Sequence, residues 1–481
     1  AIYNASSIYY DSEDLTEGAK TYAAYAQDSN GNVGTDSVSF NVDLTIPFVE
    51  FDASTPLNDS TNPNYFTVGL NSTDDREHYS FVDFDNSLVG MWRAEGGAND
   101  YTGNNNGTFE GDANTTHLGK YGEAFELDGD GDYVDFVGSA YSVGAGSQTI
   151  SGWVKTNSTS IGMFYFSTGA VANNFVYIMN DGQVRYNVKN DSSYEISSGS
   201  FDTTGTVNDG GWHFITCTLD RDIGNASIYI DGSLDKTTSD IPTGVITDNT
   251  GKNLGTYSDG TLYDFNGSID EVLIFNRSLS AAEVASLYNS TATAYTNTFS
   301  NLADGAHNVT GYAVDTAGNL NLTEERVLNV DSSLVGACGT LTEADTVYTL
   351  TKDLETEGIC FTVAANNVTI DFDGYNITGD GGNGDYGVYS NGYNETTIRD
   401  GEIYDFDYGV YMLNSVNNTL TNMTTNNNND YGIYLSSSSN NTLTDITANS
   451  NSVHGIFLTV NSDDNTLTNK TANDNAIYGI I

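Results

Sequence analysis

Apolar and polar positions in the last third of the chain recur on a fixed beat. "YGVYS" begins at Tyr386, "YGVYM" at Tyr408, "YGIYL" at Tyr431, "HGIFL" at His454 and "YGII" at Tyr478. The interval is roughly 22–24 residues, inside the range that marks a solenoid. A second phrase keeps the same beat: "NETTI" from Asn394, "NNTL" from Asn417 and again from Asn440, "DNTL" from Asp464. Each unit therefore predicts two short strands separated by Asn/Ser-rich turns. Strand alternation sends Val410, Ile433 and Ile456 to one face and Tyr389, Tyr411, Tyr434 and Phe457 to the other. Stacking buries the aliphatic rows in a continuous core and leaves asparagine ladders at the corners. Lys470 falls where earlier coils place Met423 and Ile446, so the last coil departs from the apolar pattern.

Over about residues 334–481 these phrases resemble the right-handed parallel β-helix of the pectate-lyase-like and periplasmic repeat families. A solenoid end needs a cap, because its last coil otherwise exposes core and unpaired strand edges. The chain breaks off on "NAIYGII" with no cap sequence after Ile481, so the expectation is a piece of a longer polypeptide.

Upstream the period changes. Residues 86–290 carry "SLVGMWRAEGGANDYTGNNNGTF", "GKYGEAFELDGDGDYVDF", "QTISGWVKT", "GWHFITCTLD", "ASIYIDGSL" and "GSIDEVLIFNRSLSAAEVASLYN". Alternating strands separated by Gly/Asp/Asn turns predict an antiparallel sandwich. The six phrases, in this order, closely resemble the laminin-G-like, concanavalin A-like domain. Its closing "LSAAEVASLYN" predicts a short helix with Ser280 as N-cap and Glu283 completing a capping box.

Two further stretches match each other: "DLTEGAKTYAAYAQDSNGNVGTDSVSFNVD" (14–43) and "NLADGAHNVTGYAVDTAGNLNLTEERVLNVD" (301–331). Both resemble the C-terminal half of the immunoglobulin-like repeats of prokaryotic surface proteins. A matching front half occurs once, at residues 44–75. The expected organisation is one immunoglobulin-like domain built from 44–85 plus 291–331, with the laminin-G-like domain (86–290) inserted in its middle. Residues 1–43 are then the back half of an earlier domain. Insertion at a surface loop adds little closure entropy, which makes such nesting physically easy. The predicted fold class is all-β: nested sandwiches followed by a parallel β-helix.

Composition narrows the function. Asp and Glu number 65 against 15 Lys and Arg, a formal charge of −50. Nucleic acid is thereby disfavoured as a partner, since binding needs a basic stripe that displaces counterions. Such a surface suits high salt, divalent cations or a cationic partner. No apolar run approaches the length of a membrane span. N-x-S/T sequons stand at Asn4, Asn58, Asn71, Asn106, Asn114, Asn157, Asn190, Asn225, Asn266, Asn276, Asn289, Asn308, Asn321, Asn367, Asn376, Asn394, Asn417, Asn422, Asn440 and Asn469. They are acceptor candidates in an extracellular glycoprotein, although a chain this rich in Asn, Ser and Thr generates many by chance.

Cys338 and Cys360 flank the entry to the solenoid. A bridge between them would close a loop worth roughly 3 kcal/mol in the chain-entropy model; the alternative is two unrelated thiols. Archaeal and bacterial β-helix surface repeats, which this segment resembles, often open with such a Cys-Gly…Cys phrase, and the resemblance implies the bridge. Cys217 lies on the strand face of Ile215 and Leu219 and reads as a buried core thiol. The concanavalin A-like resemblance implies a structural Ca²⁺ between an N-terminal Asp/Gly loop and an Asp of the closing strand, here Asp100 and Asp270; oxygen-rich turns suit weak extracellular calcium. Asp28 and Asp315, in twin D-x-x-G-N hairpins, read better as turn residues than as ligands.

The aromatic row Tyr389, Tyr411, Tyr434 and Phe457 fits either sugar stacking or plain packing within a parallel sheet. An enzyme acting on polysaccharide is the competing reading, with Asp400, Glu402, Asp405 and Asp407 as the carboxylates a glycosidase would need in convergent pairs. A solvated acidic row in so acidic a chain is the better account of them. The expectation is therefore a non-enzymatic extracellular surface protein, structural or adhesive. It would be part of a filament, appendage or surface layer, assembling head to tail with copies of itself and binding surface glycans. The domain string and acidity resemble archaeal surface proteins.

Overall fold

The computed structural model describes residues 16–27, 30–136, 142–170, 173–196, 200–248, 251–257, 260 and 262–481. Among these nearly every regular element is a β-strand, and Ala281–Tyr288 (α1) is the one α-helix. The chain divides into two compact units. The first gathers residues up to 58 with 67–298 and 307–327; the second gathers 59–66, 299–306 and 328–481.

Most of the first unit is a sandwich of two antiparallel sheets. One sheet runs Ser233–Thr238, Asn225–Ile230, Trp212–Asp220, Gln148–Lys155, Asn266–Phe275, Ala124–Asp128 and Asn114–Thr116, with Leu88–Trp92 also paired to Asn266–Phe275. The other runs Asp202–Thr206, Gln183–Lys189, Asn173–Ile178, Gly162–Thr168, Gly251–Leu254, Tyr133–Asp135 and Thr108–Glu110. Period-two alternation fills the space between them. Ile150, Cys217 and Ile228 stand side by side in register and share a core with Val176, Tyr186 and Leu254. Cys217 is a buried thiol without a cysteine partner, and burial holds its pKa well above the ordinary value.

The outer face of the first sheet is apolar too. Trp153, Phe214, Leu273 and Phe275 join Tyr79, Phe81 and the helix residues Val284 and Leu287 in a second core. α1 is started by a reciprocal capping box: Glu283 N–H donates to Ser280 Oγ, and Ser280 N–H donates to Glu283 Oε2. Arg277 pairs with the same glutamate at 2.7 Å. Segments that flank the sandwich in sequence meet each other. His78–Phe84 lies antiparallel to the run 309–315, with Phe84 opposite Val309 and His78 opposite Asp315. Phe48–Phe51 lies along the run 70–73, and Ser72 N–H donates to the Thr293 carbonyl at 3.0 Å. Gly18–Gln27 and Val33–Val42 form a two-stranded hairpin, with Val33 and Val38 exposed. Asn4 and Asp28 lie outside the described residues.

The second unit is a parallel solenoid. One sheet stacks Tyr386–Asn391, Tyr408–Leu413, Tyr431–Ser436, His454–Thr459 and Tyr478–Ile480 above two shorter strands, Gly339–Leu341 and Phe361–Val363. A second stacks Thr397–Tyr404, Thr419–Asn426, Thr442–Thr447 and Thr466–Thr471 in the same sense. Val388, Val410, Ile433 and Ile456 are wholly buried in one inward row. Lys470 holds the register of Met423 and Ile446 but is exposed, and its ammonium donates to the Leu467 carbonyl.

At the corners a backbone N–H has no ladder partner and needs another acceptor. Asparagine supplies it from the next coil. Asn418 N–H and Nδ2 both donate to Asn441 Oδ1 at 2.8 and 2.9 Å, and Asn428 repeats the arrangement on Asn451. All four side chains are buried. Exposed corners use left-handed backbone instead. Asp400, Asn422, Asp445 and Asn469 form one column at φ 62, 52, 55 and 47, a conformation that Asn and Asp tolerate better than other L-residues.

Cys338 and Cys360 are disulfide-bonded across 22 residues, with Cys360 in the solenoid core. Replacing both by Ser is expected to destabilise the solenoid by about 2–4 kcal/mol in urea unfolding. Thiol labelling of the unfolded, unreduced chain is expected to modify Cys217 alone; labelling of all three cysteines would refute the pairing in solution.

Candidate functional site

The solenoid presents aromatic rings in two columns. Tyr389, Tyr411, Tyr434 and Phe457 form one, with successive centroids 5.5, 5.0 and 5.4 Å apart. Tyr386, Tyr408, Tyr431, His454 and Tyr478 form the other, at 5.4, 5.1, 5.5 and 5.4 Å. Cross-contacts such as Tyr408–Tyr411 at 5.2 Å and Tyr431–Phe457 at 5.3 Å knit the columns into one wall. Most of its rings are half-exposed, while His454 is buried and Tyr478 exposed.

Alternation alone found only the first column. Tyr386 and Tyr389 are three residues apart and would face opposite ways on a regular strand. The strand pairing skips the glycine between them, and the two rings lie 5.3 Å apart. A Cβ on Gly409 would meet the Gly432 carbonyl at 2.6 Å, and one on Gly432 would meet the Gly455 carbonyl at 2.6 Å. Only glycine fits that stacked column, and both tyrosines stand half-exposed on one side of it. The recurrent Y-G-x-Y spacing carried this information, but in a form that period two misreads.

An acidic fringe runs beside the wall. Asp385, Asp407 and Asp430 each precede a wall tyrosine. Burial first, then the Asp407 charge, raises the Asp430 carboxyl; burial, then Asp380 and Asp407, raises Asp385. Burial also raises the phenols of Tyr386, Tyr408, Tyr411 and Tyr431, so they stay protonated donors at neutral pH.

The four carboxylates weighed for catalysis occupy separate places. Asp400 sits in the left-handed column and accepts from Asn422 Nδ2 at 2.9 Å. Glu402 lies mid-strand between Asn376 and Thr424. Asp405 is at a corner, where its carbonyl accepts from Gly381 N–H. Asp407 opens the next sheet and accepts from Gly384 N–H at 2.8 Å.

In the first unit, Asp100 and Asp270 are surrounded by donors. Asp100 accepts from the backbone N–H groups of Met91, Thr102, Asn104 and Asn105, and from the side chains of Thr102 and Asn105. Asp270 Oδ2 accepts from Lys120 and Tyr121 N–H, and Oδ1 from Glu271 N–H. The two carboxylates expected to hold calcium thus take up N–H and O–H donors of their own loops. Carboxylate oxygens gather instead at Asp112, Asp128 and Asp132, and at Asp43, Asp74 and Asp315, where ligand atoms lie within 4.8 Å of one another. Arg76 already pairs with Asp43 in the second group. The first group lies in and beside "DGDGDYVD", whose aspartate spacing was the overlooked signal. Asp315 serves its hairpin, accepting from Ala317 and Asn319 N–H.

Most sequon asparagines are surface residues. Asn190 differs: it is 4% exposed, its Nδ2 donates to the Thr243 carbonyl, and its Oδ1 accepts from Ser192 and Tyr194 N–H.

Residues 128–285 match the family described as the concanavalin A-like lectin/glucanases superfamily, and residues 352–481 match the right handed beta helix region. The chain thus carries a lectin-like sandwich and a right-handed β-helix. Similar solved structures include the binding domain of botulinum neurotoxin serotype G, at 20% identity and TM-score 0.34, with 42% of this chain and 50% of that chain covered. Domain 4 of AbnA, a GH43 extracellular arabinanase from Geobacillus stearothermophilus, in complex with arabinotriose, matches at 20% identity and TM-score 0.34, covering 42% and 98%. The serotype D ligand-binding domain in complex with N-acetylneuraminic acid matches at 20% and 0.35, covering 43% and 52%. The chain thus spans about half the length of the neurotoxin structures it matches. No curated protein matches it. No helix among the described residues is long and apolar enough to cross a membrane.

Beside Asp270 lies Glu271, 1% exposed and at φ 46, held by Arg93 Nε at 3.0 Å and by the Tyr79 hydroxyl. Burial raises both carboxyls, and the Glu271 charge raises Asp270 further. A carboxyl whose folded pKa exceeds its unfolded one contributes stability that is full below the ordinary carboxylate range and lost as pH climbs above it. The thermal midpoint of the first unit is therefore expected to fall from about pH 5 to about pH 8, and Asp270→Asn to flatten that slope even where it lowers the midpoint itself. An unchanged slope in the variant would contradict the assignment.

Proposed function

We propose that this chain belongs to an extracellular surface protein that adheres to glycans and builds a larger structure, a filament, appendage or surface layer, with copies of itself. The observation that carries this reading is the two-column aromatic wall: flat, half-exposed rings repeating every coil, fringed by hydroxyls and carboxylates. Sugar rings present apolar faces edged by hydroxyls, and such a surface matches them on both counts. In the same reading, an immunoglobulin-like domain from residues 44–85 and 291–331 carries the laminin-G-like domain as an insertion, and exposed sequons carry glycans. The strand pairing across the insertion and the acidic, disulfide-containing composition support this. A surface protein of archaeal type fits the same set of features. The spread positions of Asp400, Glu402, Asp405 and Asp407 favour binding over hydrolysis.

Retention on insoluble neutral polysaccharides tests it. Wild-type protein is expected to bind and to release no reducing ends. Tyr411→Ala with Tyr434→Ala is expected to weaken retention at least about tenfold, since ring stacking is worth roughly 0.5–1.5 kcal/mol per pair. Equal retention by the folded double variant would remove the wall from the binding surface, and sugar release abolished by Asp405→Ala would make the chain an enzyme.

A further inference from the structure

The sandwich has a polar-aromatic cleft on the outer face of its first sheet, remote in sequence from the solenoid wall. Trp153 and Lys155 are two apart on Gln148–Lys155 and so face the same way. Register sets Trp153 beside Phe214 and Lys155 beside Trp212. Each indole carries an ammonium. Lys120 Nζ lies 4.7 Å from the Trp153 ring centroid, and Lys155 Nζ lies 5.9 Å from that of Trp212. Tyr288, the last residue of α1, stacks on Trp153 at 5.6 Å and 24°. Lys120, Trp153, Trp212 and Tyr288 line a cleft of about 460 Å³ together with Asp231 and Asn289, a size within the usual small-molecule range of roughly 300–1,000 Å³.

The cleft sets a cation against aromatic rings. Acidic residues outnumber basic ones 65 to 15, and Arg76, Arg93, Arg185, Arg277, Arg326 and Arg399 all pair with carboxylates. Among the described residues, no carboxylate pairs with Lys120 or Lys155; both lie against rings instead. The cleft's own acid is already engaged: Asp231 Oδ1 accepts from Phe214 N–H at 2.9 Å, and Oδ2 meets His213 Nδ1 at 2.9 Å. His213 Nε2 in turn meets Asp209 at 3.1 Å. What remains open to a ligand is the Lys120 ammonium beside aromatic faces, with an amide and hydroxyls at the rim.

We propose that this cleft binds a sugar acid, a pyranose ring bearing a carboxylate within a glycan chain, with the carboxylate on Lys120 and the ring against Trp212. A neutral sugar would leave the Lys120 ammonium unmatched, and a bare phosphate would leave the rings unused. Charge-assisted contacts of ammonium with carboxylate are about twice as strong as neutral ones. The chain's overall negative charge does not bar such a ligand at physiological salt, because screening over about 8 Å leaves the local lysines to decide.

The chain has three tryptophans. Trp92 and Trp153 are buried at 2% and 3% exposure and Trp212 is half-exposed, so ligand-dependent fluorescence reports chiefly on Trp212. Titration with oligogalacturonate at about 0.15 M salt is expected to give a saturable change, with neutral galacto-oligosaccharide at least tenfold weaker. Lys120→Gln and Trp212→Ala are each expected to weaken oligogalacturonate about tenfold. The Tyr411→Ala, Tyr434→Ala protein is expected to bind it normally, which separates this site from the solenoid wall. Should Trp212→Ala melt early, Lys120→Gln alone decides. Equal affinity for acidic and neutral sugars, or full affinity in folded Lys120→Gln, would overturn the proposal. Tighter saturable binding of a Glu-Tyr copolymer would assign the cleft to acidic peptide instead.

Discussion

A buried backbone N–H that leaves its ladder must find an oxygen, and in this chain Asp and Asn side chains repeatedly provide it. Each unsatisfied group would cost about 1–3 kcal/mol, so the turns of a molecule made almost wholly of strands are its weak points. In the sandwich, Asp100 gathers four backbone donors and two side-chain donors of one loop. Asp270 ties the 120–121 turn to the closing strand, and Asp248 holds Val143 N–H and Ser167. In the solenoid the same task falls to neutral asparagines stacked coil over coil. The difference follows from burial: a repeated inward column of carboxylates would place like charges one coil apart, roughly 5 Å.

This gives part of the acidic composition a structural meaning. A formal charge of −50 invites an explanation in terms of environment alone, but many aspartates are engaged with backbone donors. Some of the others fringe the aromatic wall, where they crowd one another and their carboxyls rise. Against that field the few cations are conspicuous. The arginines serve as internal ties, as Arg93 does for Glu271 and Arg277 for Glu283, while two lysines rest on indoles.

The solenoid wall depends on the same geometry of turns. Left-handed Asp and Asn columns and a closely stacked glycine column recur coil after coil, and the backbone path they fix determines which side chains point outward. Replacing the glycine by any L-residue with a side chain would push Cβ into the next coil's carbonyl. The aromatic surface is therefore a consequence of backbone packing one residue away, and Tyr386 and Tyr389 share a face only because of it.

Periodicity in the sequence was enough for the solenoid, its inward aliphatic row, the asparagine corners and the odd placement of Lys470, since each coil repeats the last and local pattern equals global structure. Alternation with turn chemistry was enough for the sandwich strands and the capping box of α1, because those are short-range interactions. The roles of Asp100 and Asp270 were not legible: an aspartate in a Gly/Asn-rich turn looks the same whether it holds a cation or a ring of N–H donors, and only the folded loop supplies the donors. Nor was the second aromatic column, because the strand pairing skips the glycine and so breaks the parity that strand reading assumes. The lysine–tryptophan cleft was equally hidden, since Lys120, Trp153, Trp212 and Tyr288 come from four distant segments that only sheet register and helix packing bring together.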